Sequence, residues 1–446
     1  MGFSGAGMED EYYGSRDVLE GVFGGTNTIQ KMMDVEAALA WAESQEGIVP
    51  EPYAKEIQEK CSAALLDEVV YQEARRTTGH PLMGMLRAYK AICSREAGEY
   101  IHYGATTQDI SDTALILQLR EAWDIVAEKA GRLREILARQ AKRHRSLVMI
   151  GRTNDQQAMP ITLGFKISTW IDELDRCLER MAQSRDRIFV GQFAGAVGTM
   201  ASLEQNGPRV QKLLFERLGL GSPRISWFAT RDRMAEFTFD LAMICGALGR
   251  MGNEVYNEQR SEVNELAEGY APGKVGSSTM PHKRNPFLPG RLAGRGRIAG
   301  TLVMRAMQCL ENTNERDCRV LCVEPYHLKE ICCLADGTLD IALELFEHME
   351  VHEERIRDNM EILGGLIFSE ALMMRLADSF GRMEAHEMVH ELAMAAIEQK
   401  RKLRELVLED SRIMAHLTEA ELGQLMCPER YIGLAEHFVD QVAGTE

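Results

Sequence analysis

The chain is short of proline, of basic charge, of paired cysteines and of long apolar runs, and each shortage excludes something. Only 12 prolines occur in 446 residues, and none lies between Pro81 and Pro160, between Pro223 and Pro272, or between Pro325 and Pro428. An interior proline costs a helix about 3 kcal/mol, so these intervals permit long helices. The net charge of −17 argues against non-specific nucleic-acid binding, which needs a basic field. It leaves room for an anionic small molecule, because a site can be locally basic. Of the 10 cysteines, Cys332 and Cys333 are adjacent and Cys318 and Cys322 are four apart, yet no C-x-x-C pair or zinc-finger spacing occurs. They read as reduced, mostly buried thiols of a cytoplasmic protein. No apolar run reaches the ~18 residues of a membrane span. The first residues lack a basic stretch followed by an apolar core, so they are not a secretory signal. Residues 1–7 read as either a leader or a cloning remnant, with Met8 a candidate natural start.

What is present is helix. Phe237, Leu241, Ile244, Leu248 and Met251 recur at i, i+4, i+7, i+11 and i+14, one face of an α-helix, with charged residues between them. Alternating β-branched runs bounded by turns are nearly absent, so the chain reads as all-α. Helices are expected at about 27–46, 53–77, 81–97, 108–146, 161–188, 205–218, 231–268, 287–313, 325–357 and 368–407. Several are too long for a compact monomer and suit a bundle. A coiled-coil rod is excluded by glycine-containing breaks near 98–107, 147–164, 189–204 and 269–290. At ~150 residues per domain the length allows two or three domains. Two of the breaks suggest three helical domains: residues 1–103, a central long-helix bundle over 104–357, and a C-terminal domain over 358–446.

The breaks carry the chemistry. Lys274-Val275-Gly276-Ser277-Ser278-Thr279-Met280-Pro281-His282-Lys283-Arg284-Asn285-Pro286 combines a permissive glycine, small hydroxyls, cations and an amide. Exposed N–H groups with lysine and asparagine suit a carboxylate or phosphate. Composition alone would equally allow a solvated basic loop. Ile101-His102-Tyr103-Gly104-Ala105-Thr106-Thr107-Gln108-Asp109 reads as a helix N-terminus, capped by Thr106 or Thr107, that can also hold an anion. Gly151-Arg152-Thr153-Asn154-Asp155-Gln156-Gln157-Ala158-Met159-Pro160 is a third polar segment.

Together these segments resemble the fumarase/aspartase superfamily. The 276–286 run is similar to its G-S-S-x-M-P-x-K-x-N-P signature, a motif too long for chance. The second segment looks like its H-x-G-x-T-S-x-D region, with Thr107 in place of serine, and the third like its G-R-T-x-x-Q-x-A-x-P region. Val35-Glu36-Ala37-Ala38-Leu39, Gly195-Ala196-Val197-Gly198-Thr199, Arg231-Asp232-Arg233, Glu315-Arg316-Asp317 and Gly381-Arg382-Met383-Glu384 extend the likeness from about residue 13 to about 391.

The resemblance implies a homotetramer whose long helices form a twenty-helix core. Each active site would be shared by three subunits, with no metal or organic cofactor. It implies a di- or tricarboxylate substrate and no membrane or nucleic-acid partner. The expected reaction is an anti-type β-elimination across a succinyl group, releasing fumarate. Ser277 would be the general base on a mobile loop, acting as an alkoxide. Lys283 and Asn285 would grip the carboxylate that accumulates charge. Thr106, Thr107, Thr153, Asn154, Gln156, Ser278, Met280 and Arg316 would bind substrate.

The likeness to adenylosuccinate lyases is strongest in the wording M-P-H-K-R-N-P, and it breaks at the acid. Those enzymes carry a histidine after the R-T pair and a glutamate five residues beyond the signature asparagine. Here the residues are Asn154 and Gly290. Cys318-Arg319-Val320-Leu321-Cys322 stands where they bind a nucleotide phosphate. The missing histidine and Trp227 ahead of Arg231-Asp232-Arg233 lean toward the 3-carboxy-cis,cis-muconate cycloisomerases. A C–N lyase is therefore the leading expectation and a lactonising cycloisomerase the alternative. His80, His102 and Asp155 are candidate replacement acids, although the leaving group could also depart unprotonated.

Overall fold

The computed structural model describes residues 18–270, 277 and 279–444. Five long helices dominate it: α1 (Thr107–Arg143), α2 (Leu163–Ile188), α3 (Asp232–Glu258), α4 (Phe287–Gln308) and α5 (Glu324–Glu347). The periodic face expected on α3 is the buried one, since Phe237, Leu241, Ile244, Leu248 and Met251 are all fully enclosed. Residues 1–7, expected as a leader, lie outside the described residues.

Contacts divide the chain into two compact units, and every long helix contributes to both. The first unit comprises Met1–Ala130, Cys177–Gly249 and Gly294–Asp340. Its N-terminal helix Gly25–Gln45 packs on the helix Gly207–Leu218. Trp123 of α1 meets Phe189 and Phe237 with ring centroids 5.5 and 5.4 Å apart. The second unit comprises Gly131–Arg176, Arg250–Ala293 and Ile341–Glu446. Its C-terminal helices close over Leu372, Leu376, Met388, Leu403, Val407, Ile413 and Leu422. These units are interleaved along the chain, whereas the domains expected from sequence are consecutive blocks.

The second unit also holds what the helical reading missed, a β-hairpin. Strand β1 (Val148–Thr153) pairs antiparallel with β2 (Gln156–Thr162), and Thr153 opposes Gln156. The two residues between them, Asn154 and Asp155, have φ of 51° and 60°. Two left-handed residues in a two-residue loop make the tight turn that matches strand twist, and Asn and Asp tolerate that conformation best. The register slips between Ile150 and Arg152, so Gly151 sits in a bulge. Val148 and Ile150 pack under Met360, Ile367 and Phe368. A two-residue pair, β3 (Leu266–Ala267) with β4 (Glu350–Val351), is the other sheet among the described residues.

Several expected helices are shorter than their apolar pattern, among them the one read at 325–357, which ends at Glu347 before β4 and restarts at Glu353. The helix read at 53–77 stops at Glu59 and restarts at Glu68, because the Asp67 carboxylate accepts the N–H groups of Val69 and Val70 at 2.8 and 3.3 Å. The helix read to 268 ends at Glu258, and Asn264 at φ 49° turns the chain into β3. The helix read at 368–407 is cut at Gly381 (φ 80°) and Lys400 (φ 53°).

Candidate active site

In the second unit, the signature segment lies between β3 and the start of α4. Ser277 is half-buried. Its hydroxyl oxygen accepts the backbone N–H of Met280 at 3.1 Å and of Thr279 at 3.4 Å. Two N–H dipoles on one oxygen favour its anion, which is what a serine base requires. The Met280 carbonyl accepts the N–H of Lys283 at 3.0 Å, closing the turn that sets Lys283 after Pro281 and His282. Ser277, Lys283 and Asn285 line one cavity of about 540 Å³ together with Gln259, Glu268 and Tyr270. Gln259 spans one side of it, donating to the Arg284 carbonyl at 3.3 Å and accepting from the Glu268 N–H at 3.0 Å. Glu268 in turn accepts the Leu288 N–H at 2.7 Å and caps α4. Ser278 lies outside the described residues.

The hairpin belongs to the same unit but does not line that cavity. Arg152 anchors it: the guanidinium donates to Glu265 at 2.6 and 3.0 Å and to Glu258 at 3.2 and 3.3 Å. Lys166 joins the cluster through Glu254 and Glu258. Burial pushes the Glu258 carboxyl up, against the pull of Lys166 and Arg152. Arg152 therefore anchors the hairpin just before its turn, and Thr153, Asn154 and Gln156 are left exposed at the tip.

In the first unit, the loop before α1 gathers a second polar cluster. His102 sits at φ 70°, and its Nδ1 is 2.7 Å from the carboxylate of Glu36, which is fully buried. Burial pulls the imidazole pKa down, but the Glu36 charge overcomes this and holds it above its ordinary value. Thr107 opens α1. The Thr106 N–H donates to Asp109 at 2.9 Å, reversing the expected cap, while its hydroxyl accepts from Arg316 at 3.1 Å. Arg316 also donates to the Ala196 carbonyl at 3.0 Å and lies 5.1 Å over the ring of Phe228. Asp109 additionally accepts the N–H groups of Ala194 and Gly195 at 2.8 and 3.0 Å. Burial still pushes it up to about 6. Thr106 and Arg316 are thus brought together, Asp109 ties the 194–195 turn to the same helix start, and His102 pairs with Glu36 in the loop just before it.

His80 does something plainer. It caps the helix Pro81–Ile92, its Nδ1 accepting the Leu82 N–H at 3.2 Å, and burial lowers its pKa. Arg319, in the segment where a phosphate grip would be sought, is paired back onto Asp317 at 2.9 Å.

Sequence reading passed over Glu36 and the set Asp112, Arg231 and Glu324. Glu36 had a signal: a lone carboxylate among Val35, Ala37, Ala38 and Leu39 on an apolar helix face. Arg231 is enclosed between Asp112, at 2.8 and 3.1 Å, and Glu324, at 2.9 Å, with Trp227 4.9 Å beneath it. Nothing in the spacing of these residues joins them.

Comparison with known proteins finds lyases. A family profile described as Lyase matches residues 10–294, and one described as Adenylosuccinate lyase C-terminus matches residues 365–442. The chain is 40% identical to an adenylosuccinate lyase of Methanocaldococcus jannaschii over 439 residues, 98% of this chain and 95% of that one. It is also 40% identical to an N-acetyl-S-(2-succino)cysteine lyase of Dickeya dadantii over 428 residues, 95% of this chain and 93% of the relative. Among solved structures, a 3-carboxy-cis,cis-muconate lactonizing enzyme of Pseudomonas putida superposes with a TM-score of 0.91 at 35% identity, covering 98% of both chains.

Proposed function

Because this chain belongs to the fumarate lyase superfamily, we propose that it breaks a succinyl C–N bond by anti β-elimination and releases fumarate and an amine. The observation that carries the reading is the cavity in which Ser277, with two N–H groups on its hydroxyl oxygen, lies with Lys283 and Asn285. The Ser277 alkoxide removes the proton next to a substrate carboxylate. The electron pair moves into that carboxylate, where Lys283 and Asn285 hold the added charge. It then returns to form the fumarate double bond as the C–N bond breaks. His102, whose pKa the Glu36 carboxylate raises, is the acid this reading assigns to the departing amine, whereas the Nδ1 of His80 is committed to a helix cap. Thr106, Thr107, Thr153, Asn154, Gln156, Met280 and Arg316 complete the substrate grip in this reading. They lie in separate loops, which suits a site assembled from three subunits of a homotetramer. Exposed apolar side chains on the long helices, Phe239, Met304, Met307 and Tyr326, offer a face that further copies would cover.

A second reading concerns the leaving group. Asn154 and Gly290 carry no transferable proton, and a thiolate needs none on departure. A C–S succinyl adduct, of the kind named for the Dickeya relative, fits that feature.

A fumarate-release assay with mass spectrometry decides between them. Adenylosuccinate, N-succinyl amines, N-acetyl-S-(2-succino)cysteine and 3-carboxy-cis,cis-muconate are offered in parallel. Fumarate with a free amine is the expected result. Fumarate with a thiol selects the second reading, a lactone without fumarate selects a cycloisomerase, and silence on every substrate rejects the proposal.

Two variants test the parts. Lys283→Met is expected to raise KM and lower kcat, together costing about 2–4 kcal/mol of transition-state stabilisation. Unaltered steady-state constants would remove Lys283 from the carboxylate grip. In the double variant Asn154→His/Gly290→Glu, a Cβ at Gly290 makes ordinary contact with the Tyr256 ring at 3.5 and 3.6 Å. Histidine at a left-handed φ costs about 1 kcal/mol of stability. We expect no efficient adenylosuccinate lyase from it, because Arg319 remains paired with Asp317. A low KM for adenylosuccinate in this variant would show that the acid pair was the main barrier.

A further inference from the structure

The residue that fixes the neck of the Ser277 segment comes from outside the segment. Glu350 lies on β4, opposite Ala267 of β3. One carboxylate oxygen accepts the backbone N–H of Tyr270 at 3.0 Å, and the other accepts from the Arg284 guanidinium at 3.2 Å. The same guanidinium lies 4.5 Å over the Tyr270 ring. Tyr270 precedes Ser277 in the chain, and Arg284 stands between Lys283 and Asn285. Three contacts thus join the entering and leaving strands of the segment, and Glu350 makes two of them. His352 braces the carboxylate from behind, with Nε2 3.4 Å from Glu350 and Nδ1 2.9 Å from the Asn264 carbonyl.

We propose that Glu350 is a positioning residue: by holding Tyr270 and Arg284 together it sets where Lys283 and Asn285 stand relative to Ser277. This rests on the catalytic reading of those three residues. The physical case is that Lys283 is exposed and, among the described residues, its backbone is held by one turn contact with Met280, so its placement depends on the anchoring of the next residue. A displacement of about 1 Å at a reacting group can cost on the order of 100-fold in rate. Glu350 is itself partly exposed, so its ion pair with Arg284 contributes little to global stability. Its effect should therefore fall on kcat rather than on folding.

The test uses Glu350→Gln, Glu350→Ala, Arg284→Ala and the Glu350→Ala/Arg284→Ala double variant of the full chain. Glu350→Gln keeps an acceptor for Tyr270 and loses the charge on Arg284. Glu350→Ala loses both. We expect kcat to fall by about 10-fold and about 100-fold respectively, with Tm unchanged. The double variant should be no worse than Glu350→Ala alone, since one clasp is broken once. Backbone hydrogen exchange over residues 268–288 gives a readout that needs no substrate. It should quicken in Glu350→Ala and remain unaltered in Lys283→Met. Faster exchange without any detectable turnover in the parent chain would retain the clasp and reject the catalytic reading. Exchange and kcat both unaltered in Glu350→Ala, or fully additive losses in the double variant, would overturn the proposal.

Discussion

Ser277→Ala is expected to lower kcat by about 1000-fold or more, within the range a positioned base contributes, and to leave KM within about threefold. The substitution removes one oxygen, and with it the acceptor of the Thr279 and Met280 N–H groups. Those donors belong to exposed residues, so water can replace the hydroxyl. Assembly and thermal midpoint should therefore be unaltered, which size-exclusion chromatography and calorimetry check. Dicarboxylate binding should persist because Lys283 and Asn285 remain. A variant that still turns over at a comparable rate would take Ser277 out of the mechanism and return the signature segment to a binding role.

The second large effect is on folding. Arg231→Met should destabilise the chain by about 3–5 kcal/mol, read as a shift of the urea midpoint. Arg231 and Glu324 are each 1% exposed, and Asp112 is hardly more so. Burial opposes the guanidinium charge, but two carboxylates around it hold its pKa above the ordinary arginine range. Removing the cation leaves both carboxylates enclosed and unpaired, and one of them must take up a proton. Arg231→Lys should recover only part of the loss, because an ammonium cannot fork to both partners. Adding Asp112→Asn and Glu324→Gln to Arg231→Met should recover more, since the uncompensated charge is then gone. A shift smaller than about 1 kcal/mol in Arg231→Met would show that the triad is not a folding determinant.

The sequence by itself determined most of the helical framework and the chemical types at the site. Proline-free intervals and a 3.6-residue apolar period are local properties, and α1 to α5 begin where those properties put them, although α3 and α5 end short of the expected 268 and 357. The 276–286 signature likewise gathers a hydroxyl, a cation and an amide in one short stretch, so Ser277, Lys283 and Asn285 could be singled out before any coordinates. The hairpin at 148–162 was also locally encoded, by Asn154-Asp155 between two apolar stretches, but Pro160 and the G-R-T wording obscured its alternation.

Tertiary structure decided which charges answer which. Glu36 and His102 are far apart in sequence, as are Arg231 with Asp112 and Glu324, and Glu350 with Tyr270. Their pairing depends on how helix faces and strand ends meet, and no spacing rule carries that information. The same holds for what burial does to them. A histidine in a motif has its ordinary acidity until the fold removes water and sets a carboxylate 2.7 Å away. Residue types are fixed by the chain, but their protonation and partners are set by desolvation and proximity, which exist only once it has folded.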